Sequence, residues 1–407
     1  MDQSAQNQLT SILSGVNNTA SSTQGGPVSP GTSLGGASTP GASKGGIAPS
    51  PEQNPKSNDQ IRRLGEKIEQ TPLPVDLKAN LVERISRLAL LRASAGFMSA
   101  NYIIEYESTS TYINWVVGLP WQKNSTDSLD LIKAKEILDK NHYGLDSIKN
   151  RILEYLATVI LNLKQNTHEH IQRAPILCLV GLAGTGKTTL AFSIAEALSK
   201  KFERIPFGGM ADSRTLRGQS RAYPDAEPGQ VIKKLFHAKT KNPVILLDEL
   251  DRVTEAARGD IMGVLVELLD PEQNRAFTDH YVDFPFDVSN ALFVATANNT
   301  SSISTAVLDR LEIIQMPSYT DEEKIIIAQK YLFAKIRYQA GLSENQLIVD
   351  DNVWAGIIRP LGFDSGIRSL ERTIEGICRK VAKLIVEGKA TAVRVGNENL
   401  KDFLPTY

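Results

Sequence analysis

Along residues 57–118 the large apolar side chains recur in steps of three and four. Ile61, Leu64 and Ile68 fall on one face of a helix that Pro72 and Pro74 interrupt. Beyond the prolines, Leu77, Leu81, Ile85, Leu88 and Leu91 make one stripe on a second helix running towards Tyr112, Trp115 and Val116. Two such faces predict a helical hairpin that packs on itself, with a neck between subunits or domains as the other reading. From about Leu131 the texture changes. Residues 176–180 (Ile-Leu-Cys-Leu-Val), 244–247 (Val-Ile-Leu-Leu) and 291–295 are continuous apolar runs with helical patterns between them. A strand with one wet face would alternate, whereas a parallel strand covered on both faces is apolar throughout. The expected fold class is therefore α/β, a parallel sheet with helices on both faces. After Tyr319 helical signals take over. Thr320 and Glu323 form a capping box, Asp350 and Asp351 precede another helix, and Ser365 opens a long one through Leu384. A short β-prone stretch at 390–395 completes this small helical domain.

The first 56 residues have a different composition. They are mostly Ser, Gly, Thr, Pro, Ala, Asn and Gln, and their only charges are Asp2, Lys44, Glu52 and Lys56. So little apolar surface cannot offset the entropy of ordering, which predicts a disordered tail or tether. A docking helix through Leu9, Ile12, Leu13 and Val16 is the alternative. The resulting organisation is a tail at 1–56, a helical neck at 57–125, an α/β domain at 126–318 and a helical domain at 319–407.

Composition narrows the classes. The 407 residues are 41% hydrophobic and 22% charged, which excludes wholesale disorder and fibrous repeats. Lys and Arg number 45 against 46 Asp and Glu, a net charge of −1, so no global field attracts nucleic acid or an anionic membrane. The only cysteines, Cys178 and Cys378, are too few for a disulfide scaffold or a cysteine zinc site, and a cytoplasmic, reducing location is expected. The N-terminal Met-Asp-Gln-Ser-Ala-Gln lacks a basic stretch followed by an apolar one, and no run approaches ~18 apolar residues. Neither secretion nor membrane spanning is expected.

The chemistry is concentrated where the first apolar run ends. Gly181, Leu182, Ala183, Gly184, Thr185, Gly186, Lys187 and Thr188 satisfy G-x-x-x-x-G-K-[ST] between a strand and an Ala-rich helical run. Glycines let successive N–H groups turn inward onto phosphate oxygens, and the following helix presents its positive end. Lys187 is placed to reach the β and γ phosphates, and Thr188 to offer a hydroxyl to Mg2+. A carboxylate at the end of another buried parallel strand should share that metal. Val-Ile-Leu-Leu-Asp-Glu at 244–249 supplies Asp248 for it, and Glu249 suits polarising a water at the γ phosphate, which favours hydrolysis over transfer to a substrate.

At this point the chain resembles the AAA+ ATPases, and more closely the ATPase module of the Lon protease family, over residues 58–404. The most specific stretches are His-Tyr-Gly-Leu at 142–145 with Arg-Ile-Leu-Glu-Tyr-Leu-Ala at 151–157, Leu-Leu-Asp-Pro-Glu-Gln-Asn at 268–274 and Asp-His-Tyr at 279–281. The helical region ending in Gly-Leu-Pro-Trp at 118–121 is similar to the neck of that family. The resemblance implies ATP and Mg2+ as cofactors and a homo-oligomeric ring, with six copies expected. It further implies Asn298 as the residue that holds the attacking water and Arg310 as an arginine finger entering the neighbouring subunit's site. Arg368 would be a sensor reaching nucleotide from the helical lid, and His142 and Tyr143 would pack near adenine. The roles of Asn298, Arg310 and Arg368 call for a fixed donor or cation near developing negative charge. An aromatic that grips polypeptide in the pore corresponds to Tyr223.

The chain also departs from the family pattern. Pro224 and Asp225 stand where Ile-Gly is usual after the aromatic, and Glu227 adds a further acid, so the loop is stiffer and more negative. A tail stands in place of a folded substrate-recognition domain, and the chain stops at Leu-Pro-Thr-Tyr where a Ser-Lys protease domain usually follows. His142, His168, His170, His237 and His280 are scattered, and His168 and His170 read as a solvated loop. The expectation is an ATP-driven unfoldase or translocase acting on unfolded or misfolded proteins in quality control, without its own peptidase and with a separate peptidase chain as a candidate partner. The ATPase part of a split or truncated Lon, and a nucleotide-gated adaptor doing no mechanical work, remain open. Neutral charge and the lack of a basic, aromatic-interleaved groove argue against nucleic acid.

Overall fold

The computed structural model describes residues 55–95, 99–164, 176–358 and 366–404. The expected tail with its docking-helix alternative, the pair His168 and His170, and Ser365 lie outside the described residues. The chain divides into two compact units, one ending at Gly118 and the other beginning at Leu119.

In the first unit three helices pack on one another: α1 (Pro55–Gln70), α2 (Val75–Ala95) and α3 (Ala100–Gly118). The sequence stripes are their buried faces, and Ile68, Leu81, Leu88 and Ile113 are wholly inaccessible. One expectation is corrected. The stripe that reads as a single second helix is two helices, α2 and α3, packed on each other, and Ser99, of a type favoured at helix starts, immediately precedes α3. Lys67 Nζ donates to Asn114 Oδ1 at 2.8 Å, tying α1 to α3.

The second unit opens with α4 (Leu131–Asn141) and α5 (Asp146–Lys164). Strand and helix then alternate through β1 (Ile176–Val180), α6 (Lys187–Ala197), β2 (Phe202–Pro206), α7 (Gln230–Ala238), β3 (Val244–Asp248), α8 (Arg258–Leu269), β4 (Leu292–Ala297) and β5 (Leu311–Gln315). The strands form one parallel sheet in the order β2-β3-β4-β1-β5. One row across it reads Arg204, Leu246, Val294, Leu177, Glu312. Apolar residues occupy the three central strands and charges the two edges, which is why only the central strands stand out as apolar runs. Leu190, Ala191 and Ile194 of α6 pack with Leu177, Leu179, Val244, Leu246 and Val294 in the main core. Cys178 on β1 is wholly buried, and burial pushes its thiol up to about 12, so the reactive thiolate is scarce at neutral pH.

The helical end follows β5. Thr320 caps α9 (Asp321–Ile327) through both bonds of the expected capping box, Glu323 N–H to Thr320 Oγ1 at 3.2 Å and Thr320 N–H to Glu323 Oε2 at 2.9 Å. A wider turn at Ala328–Leu332 leads into α10 (Phe333–Gln339), then β6 (Leu347–Val349), α11 (Trp354–Ile358), α12 (Arg368–Val386) and β7 (Val393–Val395). β6 and β7 pair in parallel, and Ile336, Trp354, Ile357, Ile374, Ile377 and Val381 are part of a second core. Among the described residues no helix is long and apolar enough to cross a membrane.

Candidate functional site

Because all five strands run the same way, their carboxyl ends converge on one edge, the usual place for a ligand in a parallel sheet. The loop that follows β1 is held down at that edge. Gly181 N–H donates to Ala297 O at 3.1 Å, and Thr185 Oγ1 donates to Leu182 O at 2.9 Å. Gly184 and Gly186 sit at φ of +83° and +93°, where a side chain would be strained. Leu182, Ala183 and Thr188 are exposed, while Thr185 and Lys187 are buried. Lys187 and Thr188 open α6, whose first N–H groups have no partner within the helix and point a positive end at the loop.

Lys187 Nζ donates to Gly181 O at 2.6 Å, Leu182 O at 2.9 Å and Asn298 Oδ1 at 3.2 Å. Burial lowers its pKa, against the attraction of Asp251, Asp248 and Glu249, which holds the proton on. The ammonium therefore faces a cluster of carboxylates at the end of β3.

That cluster is organised by Thr296. Its Oγ1 donates to Asp248 Oδ1 and accepts the Glu249 N–H at 3.0 Å. Asp248 is buried, and Arg204 Nε on the neighbouring strand β2 donates to its Oδ2 at 2.6 Å. Glu249 has φ +60°, a left-handed conformation that costs a non-glycine residue about 1–2 kcal/mol and turns the chain sharply off the strand end. Its side chain is partly exposed, with Arg252 Nη1 3.4 Å from Oε1. Beyond β4, Asn298 is fixed by Asp251. The Asn298 N–H donates to Asp251 Oδ1 at 3.0 Å and its Nδ2 to Asp251 Oδ2 at 3.3 Å.

Of the expected residues, the structure thus brings together the 181–188 loop, Asp248, Glu249 and Asn298. The others stand apart from that contact network. Arg310 Nη2 donates to Asp270 Oδ2 at 2.7 Å and its Nη1 to Ala306 O at 2.8 Å, so it is bound to none of Lys187, Asp248, Glu249 or Asn298. Its charge and two backbone donors keep the Asp270 carboxyl below the ordinary range. Arg368 is exposed at the start of α12, and the residue before it reaches the loop: Ile367 N–H donates to Gly184 O at 3.0 Å. His142 is buried with Nε2 2.9 Å from Ser193 Oγ on α6, and burial drives its pKa down to about 4. Tyr143 is half-buried against the main core. Tyr223 is exposed in the loop between β2 and α7.

Four residues of the network escaped the sequence reading. Asp251 and Thr296 were detectable, the first as a third acid in Asp-Glu-Leu-Asp and the second as a hydroxyl inside an apolar strand. Arg204 and Arg252 carry no pattern that would separate them from surface arginines.

Residues 177–319 match the family model of the ATPases associated with various cellular activities, and residues 338–393 match that of the Lon protease AAA+ ATPase lid domain. The chain carries an AAA ATPase domain and a Lon-type lid. The first match ends between β5 and α9, where the parallel sheet gives way to the helical end, and the second lies within that helical end. The chain is also similar to part of several Lon proteases. It is 42% identical over 348 residues to that of Lawsonia intracellularis, 44% over 328 to that of Desulforamulus reducens and 41% over 345 to that of Bacillus thuringiensis. These alignments cover 86%, 80% and 85% of this chain but 40%, 38% and 42% of the relatives, so the chain spans about two fifths of their length. The expected α/β fold with a helical lid is borne out.

Proposed function

We propose that this chain hydrolyses ATP and couples hydrolysis to the handling of unfolded or misfolded polypeptide, as a Lon-type unfoldase or translocase. The observation that carries the reading is the contact from Lys187 to Asn298 beside the pair Asp248 and Glu249, which sets a cation, a neutral amide and two acids around one phosphate-sized loop. In this reading the N–H groups of residues 181–188 cradle the phosphates and Lys187 meets the β and γ oxygens. Thr188 and Asp248 are hard-oxygen donors of the kind Mg2+ requires, and they are the residues that would hold it. Bound Mg2+ neutralises phosphate charge. Glu249 accepts a proton from the attacking water, which Asn298 orients.

Arg310 would serve the site of a neighbouring copy in a ring of six, and Arg368 would reach nucleotide from the lid. His142 and Tyr143 would border the adenine side, and Tyr223 would touch polypeptide. Buried thiols and a near-neutral surface suit the cytoplasm, and a separate peptidase chain is a partner compatible with this activity. The rigid, acidic sequence Tyr-Pro-Asp at 223–225 favours one second reading, a nucleotide-gated adaptor that does no mechanical work.

The deciding experiment is ATP hydrolysis by the purified chain with and without casein, with the products run on a gel. Turnover that rises with casein supports polypeptide handling. Turnover indifferent to casein favours the adaptor, and an absence of turnover overturns both the catalytic assignment and the coupling.

A further inference from the structure

The Asp-His-Tyr motif at 279–281 takes no part in the contact network around Lys187. Asp279 is almost wholly buried, and three backbone N–H groups converge on it. Its Oδ1 accepts Tyr281 N–H at 2.8 Å and Val282 N–H at 3.1 Å, and its Oδ2 accepts Gly229 N–H at 2.7 Å. Gly229 caps the start of α7 and ends the loop that carries Tyr223. The other end of that loop is equally close. A Cβ on Gly218 would lie 2.8 Å from both Asp279 Oδ1 and Gly229 N, and one on Gly229 would lie 2.0 Å from Leu216 O. Neighbouring bonds reinforce the grip: His280 N–H donates to Arg217 O at 2.7 Å, and Gln219 N–H donates to Glu227 O at 3.1 Å. Residues 218–229 thus form a closed loop whose two ends lie against a single buried carboxylate, Gly229 bonded to it and Gly218 packed beside it, with Tyr223 exposed between them.

Burying a carboxylate is costly unless donors compensate, so a residue of this kind specifies geometry more than it adds stability. An apolar side chain would fill the same space without fixing either loop end. The turn at 279–282 lies downstream of α8, on the same stretch of chain as Asp270, whose carboxylate accepts from Arg310. The loop end is therefore anchored to a segment already bonded to the proposed finger.

We propose that Asp279 is a positioning residue for Tyr223, clamping both ends of residues 218–229 so that the exposed ring is carried rigidly by the ATPase domain and pushes polypeptide without yielding. This rests on the reading of Tyr223 as a polypeptide contact.

The test uses the full chain with D279N and, independently, G229A. In D279N the amide keeps one oxygen for Tyr281 and Val282 but sets an NH2 group against the Gly229 N–H, so only the loop side of the clasp opens. G229A opens it from the other side, because a Cβ there cannot coexist with Leu216 O. Both variants are compared with wild type by the rate of tryptic cleavage after Arg221, by basal ATP hydrolysis and by its stimulation with casein. Expected for each are cleavage faster by about tenfold or more, basal hydrolysis within about twofold of wild type, and loss of the casein stimulation. Wild-type cleavage and stimulation in both variants would overturn the proposal, and so would loss of basal hydrolysis together with stimulation, which would make the role purely structural. If D279N does not fold, G229A decides. If casein does not stimulate the wild type, the Tyr223 reading falls, while the cleavage rates still decide whether the clasp exists.

Discussion

Asn298 presents its carboxamide oxygen to Lys187 Nζ at 3.2 Å. Asp251 sets that orientation, because its carboxylate accepts both the Asn298 N–H and the Nδ2. A flipped amide would place two donors against each other on one side and two acceptors on the other, so Asp251 leaves only one arrangement. Asn298→Ala should lower turnover by about 100-fold while leaving nucleotide affinity within a few-fold, as expected for one preorganised group acting on the transition state. Asp251→Asn should give an intermediate loss, since it disturbs the orientation without removing the amide. Steady-state hydrolysis alongside binding of a fluorescent nucleotide separates the two effects. Equal losses in binding and turnover for Asn298→Ala would refute the assignment.

Glu249 and Lys187 should fail in different ways. Glu249→Gln keeps size and hydrogen bonding but cannot accept a proton, so binding should persist while hydrolysis falls by about 10²-fold or more. Lys187→Ala removes the cation that faces Asp248, Glu249 and Asp251, leaves the loop more negative, and should abolish nucleotide binding. Isothermal titration with ADP and ATP distinguishes the two phenotypes. Normal hydrolysis by Glu249→Gln would show that another group is the base.

Much of this architecture was legible in the chain itself, and the exceptions have physical reasons. The central strands β1, β3 and β4 read clearly because both faces are covered. β2, with Glu203 and Arg204, and β5, with Glu312, did not, because an edge strand meets solvent on one side. The loop 181–188 and the acids 248–249 were found from spacing, since backbone turning and metal binding restrict which residue types can serve there. Thr296 and Asp251 were missed because their role is to orient other side chains, and that relation appears only when β3 and β4 stand side by side. The break between α2 and α3 was missed because the apolar stripe continues across it.

Arg310 is held within its own chain by Asp270, so its action on another copy has a clear test. Arg310→Ala and Glu249→Gln should each be inactive alone, the first for want of a finger and the second for want of a base. Mixed before assembly, they should recover a fraction of wild-type hydrolysis, because a Glu249→Gln copy still offers Arg310 to a neighbour whose own Glu249 is intact. No recovery in mixtures that demonstrably co-assemble would place the action of Arg310 within a single chain. Asp270→Ala should lower turnover less than Arg310→Ala, about tenfold, since it loosens the guanidinium without removing it.

His142 makes part of the stability pH-dependent. Burial holds its pKa at about 4 in the folded chain against an ordinary 6.5, and nearby Lys149 pushes the same way. The unfolded state therefore binds the proton first. The contribution is fully present above pH 6.5 and is lost as pH falls through 4, amounting to about 3 kcal/mol at the limit. Urea unfolding between pH 7.5 and 4.5 should show a smaller loss of stability in His142→Gln than in wild type, because carboxylates titrate alike in both. Parallel pH profiles would mean that the imidazole is hydrated in solution.

Gly366 sets how closely the lid approaches the nucleotide loop. A Cβ there would lie 2.3 Å from Ala183 O and 2.9 Å from Gly184 Cα, which are backbone atoms that cannot swing aside. Gly366→Ala must therefore lift the start of α12 from the loop and break the bond from Ile367 N–H to Gly184 O. On α12 the first member of the packed lid core is further along, at Leu370, so the melting temperature should move little. If Arg368 reaches nucleotide from this position, Gly366→Ala should weaken nucleotide binding by about tenfold, and Arg368→Ala should do the same. The double variant should then be little worse than either single one, since both remove the same contact. Fully additive losses would indicate that the lid backbone and the Arg368 side chain act separately, and unchanged affinity in Gly366→Ala would show that the approach of the lid to the loop is not needed for binding.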